Sequence, residues 1–168
     1  MNIISSNWRR CYRTLLTSAV ITLIAINGWV APAVTAPASE IAQKIAALKR
    51  QQTRWIQIDL KKQRLIAWDG KNPVHAVVIS TGKDATPTLS GVFKIQSKHE
   101  KARMRGDNYD IPDVPYVMFY EGNYGIHGAY WHRSFGTPVS HGCVNVAVDH
   151  ARWLFNWATV GTPVVVSR

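Results

Sequence analysis

The chain has 168 residues, a length that suits one domain, and a formal charge of +10 from 20 Lys and Arg against 10 Asp and Glu. A basic surface of this size attracts nucleic acid, anionic wall polymers and membrane surfaces alike. Because the sequence contains no helix-turn-helix, zinc-finger or RNA-binding signature, we expect no nucleic-acid partner.

The N-terminal segment is typical of an export signal. Three arginines within the first 13 residues precede an apolar run over 15–30, and the small-residue segments 31–33 and 36–38 offer A-x-A cleavage sites. We therefore predict a signal peptide over 1–38 and a destination in the periplasm or cell wall. An uncleaved anchor is the alternative, because the run approaches the length that spans a bilayer. The membrane would then be contacted through this segment alone.

The rest of the chain predicts a mainly β domain over 54–168, after a helical lead-in over 39–53 that Ser39 caps. The polar stretch 98–113 predicts a long loop, and 149–157 predicts a helix capped by Asp149. Alternating or short apolar runs predict strands at 55–60, 64–68, 74–80, 91–95, 114–120, 124–127 and 164–166. Many short strands with little helix favour a sandwich or a barrel-like core.

Cys143 is the one cysteine that remains if the signal is removed. An exported protein with a single cysteine cannot form an internal disulfide, and an unpaired thiol is a liability in an oxidising compartment. A thiol attacks as the thiolate, so it needs a base that keeps it ionised, and histidine suits that role. His141 lies two residues before Cys143 and His127 lies 16 before it. Spacing alone does not choose between them.

Two further features of this stretch bear on its chemistry. Gly142 allows backbone N–H groups to approach an oxyanion, which favours acyl transfer. The alternative is a zinc site, although no pair of candidate ligands shows a familiar zinc-binding spacing. The candidate ligands are His127, His132, His141 and Cys143.

At this point the residues resemble a known family. Ser-His-Gly-Cys-Val-Asn at 140–145, preceded by Ile-His-Gly at 126–128, is similar to the signature of the L,D-transpeptidase catalytic domain of the YkuD type. The resemblance covers roughly 55–167, with 12 residues between His127 and Ser140, somewhat fewer than the family usually has. Further landmarks of the resemblance lie at 56–63, 78–82, 86–87, 91–95 and 161–164.

The resemblance implies a β-sandwich-like fold and a set of roles. Cys143 would be the nucleophile, His127 the general base, and the carbonyl of Gly128 would orient the His127 ring. The oxyanion site would include His141, Gly142 and the Cys143 amide, with Ser140 and Asn145 in support. The implied reaction forms peptidoglycan crosslinks: a thioester forms on a donor stem peptide with release of D-alanine, and an acceptor amine takes the acyl group. No cofactor is expected, and we expect a monomer.

Two other functions stay open on the sequence. A hydrolase on the same scaffold, an L,D-carboxypeptidase or a crosslink-cleaving enzyme, would pass the acyl group to water. Acceptor choice would then depend on residues such as Tyr116, Tyr130 and Trp131. A non-catalytic wall-binding module would use the basic surface and exposed aromatic residues, and would have no need of the Ser140 to Cys143 motif.

Overall fold

A computed structural model describes residues 38–106 and 108–168. The predicted signal peptide lies outside the described residues except for Ala38. The described elements are α1 Ala38–Arg50, β1 Arg54–Asp59, β2 Arg64–Asp69, β3 Asn72–Val78, β4 Gly91–Lys94, β5 Ser97–Gly106, β6 Tyr109–Glu121, β7 Tyr124–Gly128, β8 Val144–Val146, α2 Val148–Trp157 and β9 Pro163–Ser167.

The strands form two sheets. The larger has the order β3-β2-β1-β9-β4 and the smaller has the order β5-β6-β7-β8. Most neighbouring strands are antiparallel, while β1 pairs with β9 and β7 pairs with β8 in parallel. A mainly β, sandwich-like fold is therefore confirmed.

The main core lies between the sheets, because alternate residues of each strand point to one face. Ile56 and Ile58 of the larger sheet and Met118 and Ile126 of the smaller one belong to the same buried cluster. Leu154 of α2 joins that cluster. Burial of such side chains stabilises the fold by about 1.5–3 kcal/mol each before the loss of chain entropy is counted.

Helix α1 covers the outer face of the larger sheet. Its apolar residues Ile41, Ile45 and Leu48, at helical spacing, pack with Trp55 and Val165. The predicted lead-in is thus a packed helix. The described helix already includes Ala38, so Ser39 lies within the helix rather than at its cap.

Two sequence predictions about local structure are wrong. The stretch 98–113 is not a loop: most of it belongs to the hairpin of β5 and β6, which pair as antiparallel neighbours. Its outer part is polar and largely exposed on both faces, so it lacks the alternation that marks a half-buried strand. Asp149 is not a cap, because α2 begins one residue earlier and its N-cap residue, Ala147, makes no side-chain capping bond.

Within the part of the chain described here, no helix combines the length and the apolar character required to cross a membrane.

Candidate active site

Parallel pairing of β7 with β8 brings the two sequence motifs together. His127 is the register partner of Asn145, and Ile126 is the partner of Val144. Ile126 and Val144 face the main core, so His127 and Asn145 face away from it. Cys143 precedes Asn145 by two residues and directly adjoins β8, and it lines the same cavity as His127 and Asn145.

The ring of His127 is buried and oriented by its own strand. Its Nδ1 lies 3.1 Å from the carbonyl oxygen of Gly128. A carbonyl only accepts, so Nδ1 carries the proton and Nε2 keeps a lone pair. Burial lowers the pKa of His127 to about 4, partly opposed by the Gly128 hydrogen bond and helped by the nearby His132. The imidazole is therefore neutral at neutral pH.

The thiol of Cys143 is partly buried and unpaired. It donates to the carbonyl oxygen of Asn123 at 3.5 Å. Burial raises the pKa of the thiol, and a backbone hydrogen bond from Gly125 partly opposes that increase. Both shifts favour the uncharged form, a neutral thiol and a neutral imidazole, whereas the sequence suggested a sulfur held ionised.

The loop before Cys143 is closed by side-chain hydrogen bonds. Ser140 Oγ donates to the carbonyl oxygen of Cys143 at 2.5 Å and accepts from the N–H of Gly142 at 3.1 Å. Thr88 Oγ1 donates to the carbonyl oxygen of Gly142 at 2.7 Å. Gly142 has φ of +119°, and a Cβ there would lie 2.8 Å from the Tyr124 ring. This position requires glycine for both reasons.

A second set of hydrogen bonds joins the loop to segments that connect to strands of the larger sheet. The N–H of Ser140 donates to the carbonyl oxygen of Thr81 at 3.0 Å. Thr81 is held in turn by Gln63, a buried residue whose amide donates to Thr81 Oγ1 at 2.7 Å and accepts from the Thr81 N–H at 2.9 Å. Each member lies in a segment that resembles the family, but the sequence did not indicate that the three are hydrogen-bonded, because they are separated by 18 and 59 residues.

The cavity beside the thiol has a volume of about 260 Å³. Apolar and aromatic side chains dominate its wall, including Trp131, whose ring centroid lies 5.8 Å from that of His127. The residues lining the cavity are Met104, Tyr109, Ile111, His127, Trp131, His132, Val139, Ser140, His141, Cys143 and Asn145.

A second cavity, of about 420 Å³, meets the first at Cys143. Its wall is more polar, with Arg105 and Asn108 from the hairpin and Asn123 from the turn before β7. Tyr109 and His141 border both cavities, and their rings stack with centroids 4.6 Å apart. The hairpin that the sequence failed to predict therefore forms one side of the site. A signal for it was present in the turn-forming residues 106–108.

The remaining predicted site residues lie apart from the thiol. Tyr130 is 54% exposed and donates to the carbonyl oxygen of Pro112 at 2.7 Å. Tyr116 lines neither cavity described above: its hydroxyl accepts from Arg152 of α2 at 2.8 Å, and its ring packs near Phe155. The structure brings Trp131 to the cavity and leaves Tyr116 in contact with α2.

The zinc alternative concerns His127, His132, His141 and Cys143. Among residues 38–106 and 108–168, no group of three or more His, Cys, Asp or Glu side chains is arranged to hold a metal ion. His132 and His141 do not converge with His127 and Cys143 on one point. His132 instead contacts Asn145, and His141 stacks on Tyr109.

Comparison with known proteins decides the family. The model of the L,D-transpeptidase catalytic domain matches residues 53–166. The chain belongs to the L,D-transpeptidase catalytic domain family. L,D-transpeptidase 2 of Mycobacterium tuberculosis is 32% identical over 108 residues, which are 55% of this chain and 26% of that relative. The chain thus spans about a quarter of that relative's length.

Solved L,D-transpeptidase structures share the fold. The catalytic domain of the Enterococcus faecium L,D-transpeptidase has a TM-score of 0.63 and 31% identity, over 70% of this chain and 98% of that one. The L,D-transpeptidase LdtMt1 in complex with imipenem has a TM-score of 0.64 and 26% identity, over 68% of this chain and 58% of that one.

Proposed function

We propose that this L,D-transpeptidase family member forms peptidoglycan crosslinks by a two-step acyl transfer through Cys143. The observation that carries the proposal is the shared cavity of Cys143 and His127, built by paired parallel strands. Family membership supports the reaction class, and the neighbour with bound imipenem supports a site that accepts an acyl donor.

In the first step, Cys143 Sγ attacks the carbonyl carbon between an L-centred residue of the donor stem peptide and a terminal D-alanine. The thiol proton moves to Nε2 of His127, whose lone pair is free because Nδ1 donates to Gly128. The tetrahedral intermediate then collapses, the C–N bond breaks, and the proton passes from His127 to the departing amine of D-alanine. A thioester and neutral His127 remain.

In the second step, an amine of a neighbouring stem attacks the thioester carbonyl. His127 takes one proton from the attacking amine and returns it to the departing sulfur, so the thiol is regenerated and an amide bond links the stems. Burial lowers the pKa of His127, so the imidazole is neutral at neutral pH and its Nε2 lone pair is available to the proton. The negative charge that develops on the sulfur during attack would raise the proton affinity of the imidazole.

Backbone N–H groups near Cys143 would stabilise the oxyanion in both steps. The N–H of Gly142 already donates to Ser140 Oγ and is therefore not free to bind the oxyanion. We assign the oxyanion contact to the N–H of Cys143. Ser140 and Gly142 then act by fixing the loop. The two cavities that meet at Cys143 supply separate approaches for donor and acceptor, as a two-substrate transfer requires.

We also propose that the enzyme works outside the cytoplasm, in the periplasm or at the wall. Support comes from the N-terminal pattern of basic, apolar and small residues over 1–38 and from the overall positive charge. The mass of the protein purified from the envelope would distinguish cleavage after Ala33 or Ala38 from an uncleaved anchor.

The deciding experiment is intact-mass spectrometry of the protein after incubation with a stem tetrapeptide. We expect a covalent adduct with the mass of the donor acyl group, loss of D-alanine, and transfer to an added acceptor stem. Free tripeptide without a crosslinked product would instead favour the hydrolase.

Matched cysteine variants make the assignment specific. Cys143→Ala should lose the adduct, and Cys11→Ala, which changes the other cysteine of the chain, should keep it. An adduct that persists in Cys143→Ala would exclude Cys143 as the nucleophile. Folding of that variant can be verified by circular dichroism and thermal unfolding.

A further inference from the structure

His132 makes two polar contacts next to the proposed catalytic pair. Its Nδ1 accepts the N–H of Ser134 at 3.1 Å, and its Nε2 lies 2.8 Å from Nδ2 of the Asn145 side-chain amide. Both His132 and Asn145 line the cavity that contains Cys143 and His127. No role in the proposed reaction has so far been given to His132.

The first contact determines the tautomer of His132. A backbone N–H is always a donor, so Nδ1 must present its lone pair to Ser134. A neutral imidazole carries its proton on the other nitrogen, so Nε2–H points at Asn145. Burial lowers the pKa of His132, which favours this neutral form at neutral pH.

The second contact then determines the orientation of the Asn145 amide. If the NH₂ group of Asn145 faced the Nε2–H of His132, two donors would face each other. Rotating the Asn145 amide by 180° presents the acceptor Oδ1 to His132 instead. The rotation needs no extra space, because the amide oxygen and nitrogen are nearly equal in size. Asn145 cannot respond by moving its backbone, because its N–H and C=O are both bonded to Ser80, at 2.8 and 2.9 Å. The side chain alone adapts.

We propose that His132 is a positioning residue that holds Asn145 with Oδ1 toward the imidazole and Nδ2 as a hydrogen-bond donor in the thiol cavity. That donor would bind a carbonyl or carboxylate oxygen of the acyl-donor peptide. The claim that Nδ2 of Asn145 binds the donor peptide rests on the proposed function. The claim that His132 sets the orientation of the Asn145 amide does not.

The orientation is tested without substrate by ¹⁵N NMR of the imidazole nitrogens in the full-length protein. We expect His132 to be neutral with the proton on Nε2 at neutral pH. Asn145→Asp, which can only accept, should preserve a protonated Nε2, and Asn145→Leu should shift the Nε2 signal. A proton found on Nδ1 of His132 would overturn the proposal.

The role in binding is tested by single-turnover acylation with a stem tetrapeptide, followed by mass spectrometry. His132→Leu should raise the half-saturating donor concentration roughly tenfold, the effect of one lost hydrogen bond, with a smaller change in the limiting rate. His132→Gln, whose side-chain amide can donate to Oδ1, should recover most of the loss. Asn145→Asp should show the same increase as His132→Leu, because it keeps the contact to His132 and loses the donor.

His99→Gln is the matched control, because His99 contacts Ser97 on β5 and lines neither cavity. It should leave both acylation parameters unchanged. Equal defects in His132→Leu and His132→Gln, with unchanged thermal unfolding, would overturn the positioning role. Absence of any adduct on the wild-type protein would contradict the proposed function instead, and the NMR result would still decide the orientation.

Discussion

At the scale of single residues, burial acts on the two reacting groups in opposite directions. It lowers the pKa of His127 to about 4 and raises that of Cys143. Both shifts favour the uncharged form. The thiol donates to the carbonyl oxygen of Asn123 and the imidazole to that of Gly128. Each group is therefore hydrogen-bonded to an uncharged acceptor. In the proposed mechanism, proton transfer from the thiol would therefore accompany the attack on the substrate and would not precede it.

This resting state predicts the pH dependence of thiol reactivity. In Cys11→Ala, where Cys143 is the one thiol, the alkylation rate with iodoacetamide should rise about tenfold per pH unit between roughly pH 6 and pH 8, because only the thiolate reacts. His127→Asn should keep that slope in alkylation and lose acylation by the stem peptide. The rates can be followed by intact mass.

An ion pair in the resting enzyme would give a different profile. An imidazolium that stabilises the thiolate would make alkylation nearly independent of pH across the same range. His127→Asn would then slow it sharply. A short cysteine peptide measured in parallel supplies the slope of an ordinary thiol.

At the scale of the elements, the strands that carry the motifs could be predicted because they are short, apolar and bounded by turns. The strand predicted over 124–127 agrees with β7, and residues 122–123 form the turn that joins it to β6. Strand β8 could not be predicted, because it has only three residues and two of them lie within the motif. Its pairing with β7 brings the segment that follows Cys143 alongside His127, and both residues line one cavity. Spacing along the chain could not predict that pairing.

The hairpin of β5 and β6 escaped prediction for a physical reason. Its outer part has little to bury, so hydrophobic alternation is absent, and it is held by backbone pairing and charge instead. Arg103 binds both carboxylate oxygens of Asp110, at 2.7 and 2.6 Å, and lowers the pKa of Asp110 to about 2. Tyr109, the neighbour of Asp110, stacks on His141 of the motif loop.

Breaking this ion pair should therefore change substrate binding more than folding. We expect Asp110→Ala to raise the half-saturating concentration of the stem peptide several-fold, because Met104, Tyr109 and Ile111 of the hairpin line the cavity. The unfolding temperature should change little, since solvent screens an exposed ion pair and its contribution to stability is small. Single-turnover acylation and thermal unfolding measure the two effects.

Lys62→Ala is the matched control, because it breaks an exposed pair with Asp59 that lies away from both cavities. It should leave acylation unchanged. Asp110→Ala with unaltered half-saturation would show that the hairpin does not depend on this ion pair to shape the site.

At the scale of the whole molecule, the site depends on contacts between distant parts of the chain. Gln63 after β1, Thr81 after β3 and Ser140 in the motif loop form one hydrogen-bonded series. Thr88 adds a further bond to Gly142. These residues lie far apart along the chain. Composition and periodicity could therefore predict the sandwich, and the motif could point to Cys143 as a candidate nucleophile, but neither could predict the groups that fix the motif loop.

The buried imidazole also links the site to the stability of the molecule as a whole. The pKa of His127 falls from an ordinary 6.5 to about 4 on folding. Between these values the unfolded chain binds a proton that the folded protein does not, so stability is fully present above about pH 6.5 and declines as the pH falls toward 4. His75 and His132, whose pKa values burial also lowers, act in the same direction.

We expect His127 to account for a loss of up to about 3 kcal/mol in the free energy of unfolding across that range, since each pKa unit corresponds to about 1.4 kcal/mol. Urea unfolding near neutral pH and near pH 4.5 measures the loss, and His127→Asn should reduce it because asparagine does not titrate. For each protein, the quantity to compare is the change in unfolding free energy between the two pH values. Any destabilisation by the substitution that is the same at both pH values cancels in this change. If wild type and His127→Asn lost equal stability on acidification, His127 would have to be protonated at an ordinary pKa, and the neutral resting pair at Cys143 would be wrong as well.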